Sequence, residues 1–159
     1  GACRGIGVDI ARPAVRLAAR SYPGLFWCVG DVCGLPLPGG AADTLVNVLT
    51  PANYEEFARV LKPLGRLVKA VPGPEHLKEI RALTGKAPGG QSAEETLPLL
   101  QKRFALKARR DVRYTVACDA ALAGQVYAMT PLTAHEARRA LPAMRVTVDL
   151  TLLIGEREP

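Results

Sequence analysis

The stretch GIGVDIARPAVRLAARSYPGLFWCVGD, residues 5–31, decides the fold because two short apolar runs flank an amphipathic segment. Residues 5–10 predict a short buried strand that ends in an acid, and residues 12–20 predict a helix with Pro13 in its first turn. Residues 25–29 form a continuous apolar run closed by Gly30 and Asp31. Such runs are typical of strands in parallel sheets that are covered on both faces.

The same alternation of strands and helices continues along the chain. Residues 43–49 predict a third apolar strand, and residues 53–61 predict an amphipathic helix. Asn53 is a suitable N-cap for that helix, with Glu56 three residues later. Residues 66–71 predict the next strand, which a Pro-Gly-Pro sequence ends. This order favours a doubly wound α/β sheet.

The second half of the chain is predicted to add helices and two strands. Ser92 and Glu95 have the spacing of a capping box. The predicted strands cover residues 104–116, which are rich in Arg and Lys, and residues 146–154. The predicted helices cover residues 75–83, 92–102, 119–129 and 133–141.

Length and composition predict one ordinary globular domain over residues 1–159, since 48% of the chain is hydrophobic and 23% is charged. No run of eighteen uncharged apolar residues occurs, so we expect no membrane-spanning helix. The four cysteines contain no C-x-x-C pair, which predicts buried free thiols in a reducing cytoplasm and no metal site. The net charge of +6 favours association with polyanions.

Polar residues lie at or near the predicted carboxyl ends of three strands: Asp9, Asp31 and Asn47. Ligands of open α/β sheets bind at this edge. An acid there can accept hydrogen bonds from both hydroxyls of a ribose, and a second acid can accept one from an adenine amino group. The alternative, in which each acid only caps a helix or a loop, stays open at this point.

Four segments resemble, in the right order, motifs of the class I S-adenosylmethionine (SAM)-dependent methyltransferases. The segments are Gly7-Val8-Asp9-Ile10-Ala11, Val29-Gly30-Asp31-Val32-Cys33-Gly34-Leu35-Pro36, Ala42–Val48 and Glu56–Leu67. The resemblance implies a Rossmann-like sheet with flanking helices, and SAM as cofactor. It also implies that Asp9 and Ile10 bind the ribose side of SAM, that Asp31 and Val32 bind the adenine, and that Asn47 lies beside the cofactor.

Three further segments are similar to sequences of the 23S rRNA guanine-N1 methyltransferases. Residues 47–51 resemble N-V-F-x-P, residues 72–80 resemble P-x-P-x-H-L-x-E-L, and residues 129–131 match M-T-P. The resemblance implies a role in rRNA processing with 23S rRNA as partner. The family is also known for macrolide-type antibiotic resistance, and the chain alone does not distinguish the two roles.

The same resemblance assigns expected roles to residues of the substrate site. Asn47 would orient the edge of the guanine, and Thr50 and Pro51 would shape the pocket wall. His76 is a weak candidate for the group that accepts the guanine proton, and a structural hydrogen bond in the first turn of a helix is the favoured interpretation. Arg109 and Arg110, within the basic stretch, would contact RNA phosphates, although a solvated surface explains them as well.

Two departures from the family lead to the expectation that the chain is truncated at its N-terminus. Neither the Cys/His zinc module nor the first strand with its glycine-rich turn is found. In the class, the strand order is three-two-one-four-five-seven-six, so the central first strand would be missing. The second and fourth strands would then expose unpaired backbone or pair directly. We therefore expect a partial catalytic domain that does not methylate alone.

Other functions remain open on the sequence. A class I methyltransferase that acts on a small molecule or on another RNA would share every SAM motif. A non-enzymatic relic would explain the absent glycine-rich turn. The oligomeric state is also open, with a homodimer as one option.

Overall fold

The computed structural model describes residues 4–85, 90–130, 133 and 139–159. Its six strands are β1 (Ile6–Asp9), β2 (Phe26–Val29), β3 (Ala42–Val48), β4 (Leu61–Pro72), β5 (Phe104–Cys118) and β6 (Met144–Arg157). Its five helices are α1 (Arg12–Ser21), α2 (Tyr54–Val60), α3 (Lys78–Thr84), α4 (Ala93–Leu100) and α5 (Ala120–Met129). The predicted strand–helix order is confirmed, whereas the helix predicted over residues 133–141 lies largely outside the described residues.

Short-range capping explains where the helices begin. The Asn53 side chain accepts the Glu56 N–H at 3.1 Å, which starts α2. Ser92 and Glu95 form the predicted capping box at the start of α4. Each cap satisfies backbone N–H groups that would have no partner inside the helix.

The strands form two separate sheets. β1 pairs with β2 in parallel, and the second sheet has the order β3-β4-β6-β5. Within the second sheet β3 and β4 are parallel, while β6 is antiparallel to both β4 and β5. If β1 to β6 are counted as the second to seventh strands of the class I sheet, the two orders are three-two and four-five-seven-six. The predicted fold class is therefore confirmed.

β1 and β3 do not pair with each other, and this split leaves apolar side chains exposed. The prediction that β1 and β2 are buried strands is wrong, since Ile6 is 50% exposed and Phe26 is 70% exposed. The two-stranded sheet is packed against α1 and has no further strand beside it among the described residues. Val46 and Val48 of β3 are also exposed, because no described strand lies beside the free edge of β3.

Two apolar clusters cover the four-stranded sheet on opposite faces. Leu153 of β6 belongs to one cluster, and Val146 of the same strand belongs to the other. These two residues are an odd number of positions apart, so on a regular strand their side chains point to opposite faces of the sheet. The first cluster joins α2 and α4 to the sheet and contains Phe57, Leu61, Leu67, Leu100, Phe104 and Leu153. The second joins α3 and α5 and contains Ile80, Cys118, Ala123, Tyr127, Leu141 and Val146. Helices on both faces make the sheet doubly wound.

A clamp of two side chains holds the segment after β2 against α2. The Glu56 carboxylate accepts the Leu35 N–H at 2.6 Å and also binds Arg59. Arg59 donates to the carbonyl oxygens of Leu37 at 2.9 Å and Leu35 at 3.2 Å. The clamp connects the segment that follows the two-stranded sheet to a helix of the four-stranded sheet.

Candidate active site

The acid at the end of β1 has an oxygen available for a ligand. Asp9 is exposed, and its Oδ1 accepts the Ala11 N–H at 2.7 Å. No hydrogen bond from the described residues reaches its Oδ2. The neighbouring Ile10 is 70% exposed, so an acceptor oxygen and an apolar side chain lie next to each other at the strand end.

The acid after β2 repeats this arrangement one strand away. Asp31 Oδ1 accepts the Cys33 N–H at 2.9 Å, and the negative charge of this carboxylate raises the pKa of the neighbouring Cys33 thiol. Among the described residues, no backbone N–H donates to its Oδ2. Gly30 donates its N–H to the Asp9 carbonyl at 3.1 Å, which ties the two strand ends together. A Cβ at Gly30 would lie 2.8 Å from Cγ1 of Val8, so a side chain there would push the segment away from β1.

These two strand ends fit the adenosine half of SAM. A ribose presents adjacent hydroxyl donors, and an adenine presents an amino donor and an apolar face. Asp9 and Asp31 offer carboxyl oxygens as acceptors, while Ile10 and the half-buried Val32 offer apolar contact.

The end of β3 carries a buried hydrogen-bond network around Asn47. The Asn47 side chain donates to Thr50 Oγ1 at 2.8 Å and to the Pro51 carbonyl at 3.2 Å. Its Oδ1 accepts from Lys69 Nζ at 2.5 Å, and Lys69 also donates to the Thr50 carbonyl at 2.5 Å. Both N–H groups of the Asn47 amide are therefore used inside the protein.

This network stabilises an uncommon backbone turn. Leu49 has a φ of 54°, in the left-handed region that residues with a side chain rarely adopt. The Thr50 hydroxyl and carbonyl and the Pro51 carbonyl are all held by Asn47 or Lys69. Thr50 and Pro51 are exposed, so the predicted pocket wall is a surface turn fastened from below. Strained turns of this kind persist where the surrounding contacts over-determine them.

Sequence reasoning missed Lys69. This lysine is 5% exposed on β4, directly opposite Asn47 in the parallel pairing, and burial lowers its pKa to about 8. A sequence signal was present, since Lys69 interrupts the apolar run of residues 67–71.

His76 lies beyond the carboxyl end of β4 and is tied to β6. Its Nδ1 accepts the Asp149 N–H at 3.3 Å, and burial lowers the pKa of its imidazole. Asp149 in turn accepts the Glu75 N–H at 2.9 Å and pairs with Arg113 at 3.1 Å. The neutral ring with Nδ1 occupied as an acceptor carries its proton on Nε2.

The basic stretch is mostly neutralised by acids of the chain itself. Arg109 pairs with Glu94 at 2.9 Å, whereas Arg110 forms no ion pair with a described residue and donates only to the Arg109 carbonyl. Arg103, Lys107 and Arg113 pair with Glu55, Glu156 and Asp149. Arg110 is therefore a better candidate for an RNA phosphate than Arg109. Pro131, His135 and Arg138 lie outside the described residues.

The described residues contain neither a cluster of metal-ligating side chains nor a membrane-spanning helix. No group of three or more His, Cys, Asp or Glu side chains in the described ranges could hold a metal ion. None of the helices in that part of the chain has the length and apolar character needed to cross a membrane.

The architecture is that of the class I SAM-dependent methyltransferases. The YcgJ protein of Bacillus subtilis superposes with a TM-score of 0.68 at 15% identity, over 98% of this chain and 83% of that one. A SAM-dependent methyltransferase of Mesorhizobium loti superposes with a TM-score of 0.60 at 17% identity, over 99% and 82%. No protein-family model matches the chain.

Within this class, sequence comparison shows that the chain is a homologue of proteins named 23S rRNA guanine-N1 methyltransferases. It is 34% identical to the 23S rRNA (guanine(748)-N(1))-methyltransferase of Streptomyces fradiae, over 94% of this chain and 57% of that protein. It is 27% identical to a Bacillus subtilis protein provisionally given the same family name, over 95% and 56%. The chain thus spans a little more than half the length of these relatives.

Proposed function

We propose that the chain forms part of the catalytic domain of a SAM-dependent methyltransferase that methylates N1 of a guanine in 23S rRNA. The observation that carries the proposal is the pair of acids, Asp9 and Asp31, at neighbouring strand ends of a methyltransferase fold, each with one oxygen available. Homology over nearly the whole chain to 23S rRNA guanine-N1 methyltransferases supports the substrate. An rRNA substrate also favours a cytoplasmic location.

In this proposal the carboxyl edge of β1 and β2 holds the cofactor. The carboxylates of Asp9 and Asp31 accept hydrogen bonds from the adenosine half, with Ile10 and Val32 beside them. When bound, SAM supplies an electrophilic methyl group. The protein contributes mainly by placing the guanine edge in line with that group and by excluding water.

The carboxyl edge of β3 then receives the base. N1 of guanine is normally hydrogen-bonded within a base pair, so the target must be unstacked or looped out. The turn fastened by Asn47 forms the wall against which the guanine lies, with Thr50 and Pro51 at its surface. N1 of neutral guanine carries a proton, so a nearby group must accept it.

RNA outside the pocket is contacted by the basic stretch on β5, at the edge of the four-stranded sheet. β5 lies three strand spacings from β3, about 14 Å away, and we assign Arg110 of this strand to phosphates that flank the target nucleotide. The Arg109 guanidinium contributes less because Glu94 already neutralises it.

Two measurements test the proposal. Calorimetry with SAM should show saturable binding by the chain extended at its N-terminus by the first strand and its glycine-rich turn, with the Streptomyces fradiae relative as a reference in the same buffer. Transfer of a labelled methyl group to 23S rRNA by this extended protein, followed by nucleoside mass spectrometry, should yield 1-methylguanosine. Labelling of a different nucleoside, or of a small molecule only, would contradict the substrate. Absence of SAM binding in the folded extended protein would contradict the methyltransferase proposal.

A resistance role stays a prediction beside a housekeeping role. Expression of the extended protein in a macrolide-sensitive host should raise the inhibitory concentration if the modified guanine lies in the drug site. An unchanged inhibitory concentration despite complete methylation would assign the chain to rRNA processing.

A further inference from the structure

A buried lysine on β4, opposite the end of β3, forms no ion pair with an acid of the described residues. Lys69 is 5% exposed and is the only residue of its type among the buried polar residues of the described chain. None of the ion pairs between described residues includes it. A buried ammonium without a carboxylate is costly, so such a residue is a candidate for a functional site.

Every acid on the elements packed against β4 is engaged elsewhere. Six of these acids form ion pairs: Asp43 with Lys62, Glu55 with Arg103, Glu56 with Arg59, Glu94 with Arg109, Asp149 with Arg113 and Glu156 with Lys107. The seventh, Glu95, accepts the Ser92 N–H. The remaining titratable groups of these elements are the Tyr54 phenol, whose pKa burial raises, and the cations Arg59, Arg66, Arg145 and Arg157. None of these groups therefore stabilises the protonated, charged form of Lys69.

The hydrogen bonds of Lys69 suit a neutral amine as well as an ammonium. Its two described partners, Asn47 Oδ1 and the Thr50 carbonyl, are both acceptors. A neutral amine has two N–H groups and one lone pair, so it keeps both bonds after losing a proton. The third tetrahedral position of the nitrogen is then a proton acceptor, on a nitrogen that contacts the turn proposed as the guanine wall.

The other nearby candidates are poorer proton acceptors. The Asn47 amide is not basic, and its N–H groups are already used by Thr50 and Pro51. His76 accepts a backbone N–H on Nδ1, which leaves a donor on Nε2. Asp9 and Asp31 lie in the other sheet, on the side proposed for the cofactor.

We infer, on the basis of the proposed function, that Lys69 is the catalytic residue that accepts the proton leaving N1 of the target guanine. In this step the neutral Lys69 amine takes the N1 proton while N1 bonds to the donated methyl carbon. The carbon–sulfur bond breaks and its electron pair stays on sulfur. Lys69 becomes an ammonium and afterwards releases the proton to water.

A binding experiment tests this inference without relying on turnover. Two short single-stranded RNAs are compared, one with a single central guanine and one with 1-methylguanine at that position, which lacks the N1 proton. A guanine N1–H donates to the neutral amine and not to the ammonium. With a pKa of about 8, the neutral fraction of Lys69 increases roughly eightfold between pH 7 and pH 8.5.

The affinity for the guanine RNA, divided by the affinity for the 1-methylguanine RNA, is therefore expected to rise by up to about eightfold from pH 7 to pH 8.5. Lys69→Arg, which stays charged, should show a flat ratio. Asn47→Asp places a carboxylate beside Lys69, keeps it protonated and should also flatten the ratio. Circular dichroism establishes that each variant is folded, and the two variants test the inference independently.

The outcomes separate the inference from the proposed function. A flat ratio in the unmodified chain, or an equal rise in folded Lys69→Arg, overturns the role of Lys69 and leaves the methyltransferase proposal intact. If neither RNA binds at any pH, the proposed RNA substrate is overturned and the inference is overturned with it.

Discussion

Lys69 and Asn47 are directly opposite each other in the parallel pairing of β4 and β3, with Lys69 Nζ 2.5 Å from Asn47 Oδ1. The contact links two residues that are 22 positions apart in sequence. It joins the turn at the end of β3 to the interior of the sheet. A residue expected to orient the substrate is thus positioned by a residue that no sequence motif contained.

The first prediction concerns stability and pH. Burial lowers the pKa of Lys69 to about 8 from 10.5, so between these values the unfolded chain binds a proton that the folded chain does not. The free energy of unfolding should therefore rise with pH, by about 2 kcal/mol between pH 7.5 and 9.5. Urea denaturation of the unmodified chain and of Lys69→Met measures the difference. Equal pH dependence in the two proteins would contradict it.

The second prediction concerns the cofactor acid. Asp9→Asn keeps an oxygen for the Ala11 N–H but removes the charge that a ribose would meet. SAM affinity measured by calorimetry should fall roughly 10- to 100-fold, the usual range for hydrogen bonds to a charged group. Asp43→Asn is the matched control, because this exposed acid lies at the opposite end of β3 and pairs with Lys62. Equal losses in both variants would argue against a specific role for Asp9.

The third prediction concerns the clamp between α2 and the segment after β2. The hydrogen bond from Arg59 lowers the pKa of Glu56 to about 2, so its carboxylate stays charged when pH falls from 5 to 3. Stability from a lowered acid pKa is lost progressively between the unfolded and the folded value, so the protection of the Leu35 amide from hydrogen exchange should decline gradually as pH falls from 5 to 3. In Glu56→Gln this protection should fall about tenfold. Glu55→Gln, which loses only the exposed Arg103 pair, should leave the amide protected.

The fourth prediction concerns the Pro-Gly-Pro segment. A Cβ at Gly73 would lie 2.4 Å from Oδ2 of Asp149, the carboxylate that holds the Glu75 N–H. Gly73→Ala should reduce the free energy of unfolding by about 1–3 kcal/mol, because a buried residue must move to admit the methyl group. Gly124→Ala in α5 is the control, since nothing lies within 4 Å of its Cβ position. That helical substitution should stabilise the protein by about 0.5–1 kcal/mol.

The fifth prediction separates two neighbouring arginines. Arg110→Ala should weaken RNA binding across sequences and reduce the salt dependence by about one counterion. Arg109→Ala should have a smaller effect, because its guanidinium is paired with Glu94. Fluorescence anisotropy at several salt concentrations measures both. Equal salt slopes for the two variants would show that the Glu94 pair opens on binding.

Much of the fold could be predicted from the sequence because its signals are local. The helix caps at Asn53 and Ser92 involve residues three positions apart, and apolar periodicity marked all six strands. Boundaries were less accurate. β4 begins at Leu61 rather than at residue 66, because the chain passes directly from α2 into the strand around a left-handed Leu64.

The candidate site could be predicted only in part. Asp9 and Asp31 follow strands that the sequence reveals, so their position at one edge follows from parallel pairing. The sequence could not reveal that Glu94 neutralises Arg109, or that Asp149 holds the turn before His76. Those contacts span 15 to 74 positions and depend on how the helices and strands pack.

By itself, then, the sequence determined the alternation of strands and helices, the caps and the acids at the strand ends, since each depends on residues close along the chain. Only the tertiary structure decided the exposure of β1 and the environment of Lys69. Exposure depends on which strand lies alongside, and the pKa of a lysine depends on the water and charges around it. Both are properties of packing between distant segments, which local periodicity does not contain.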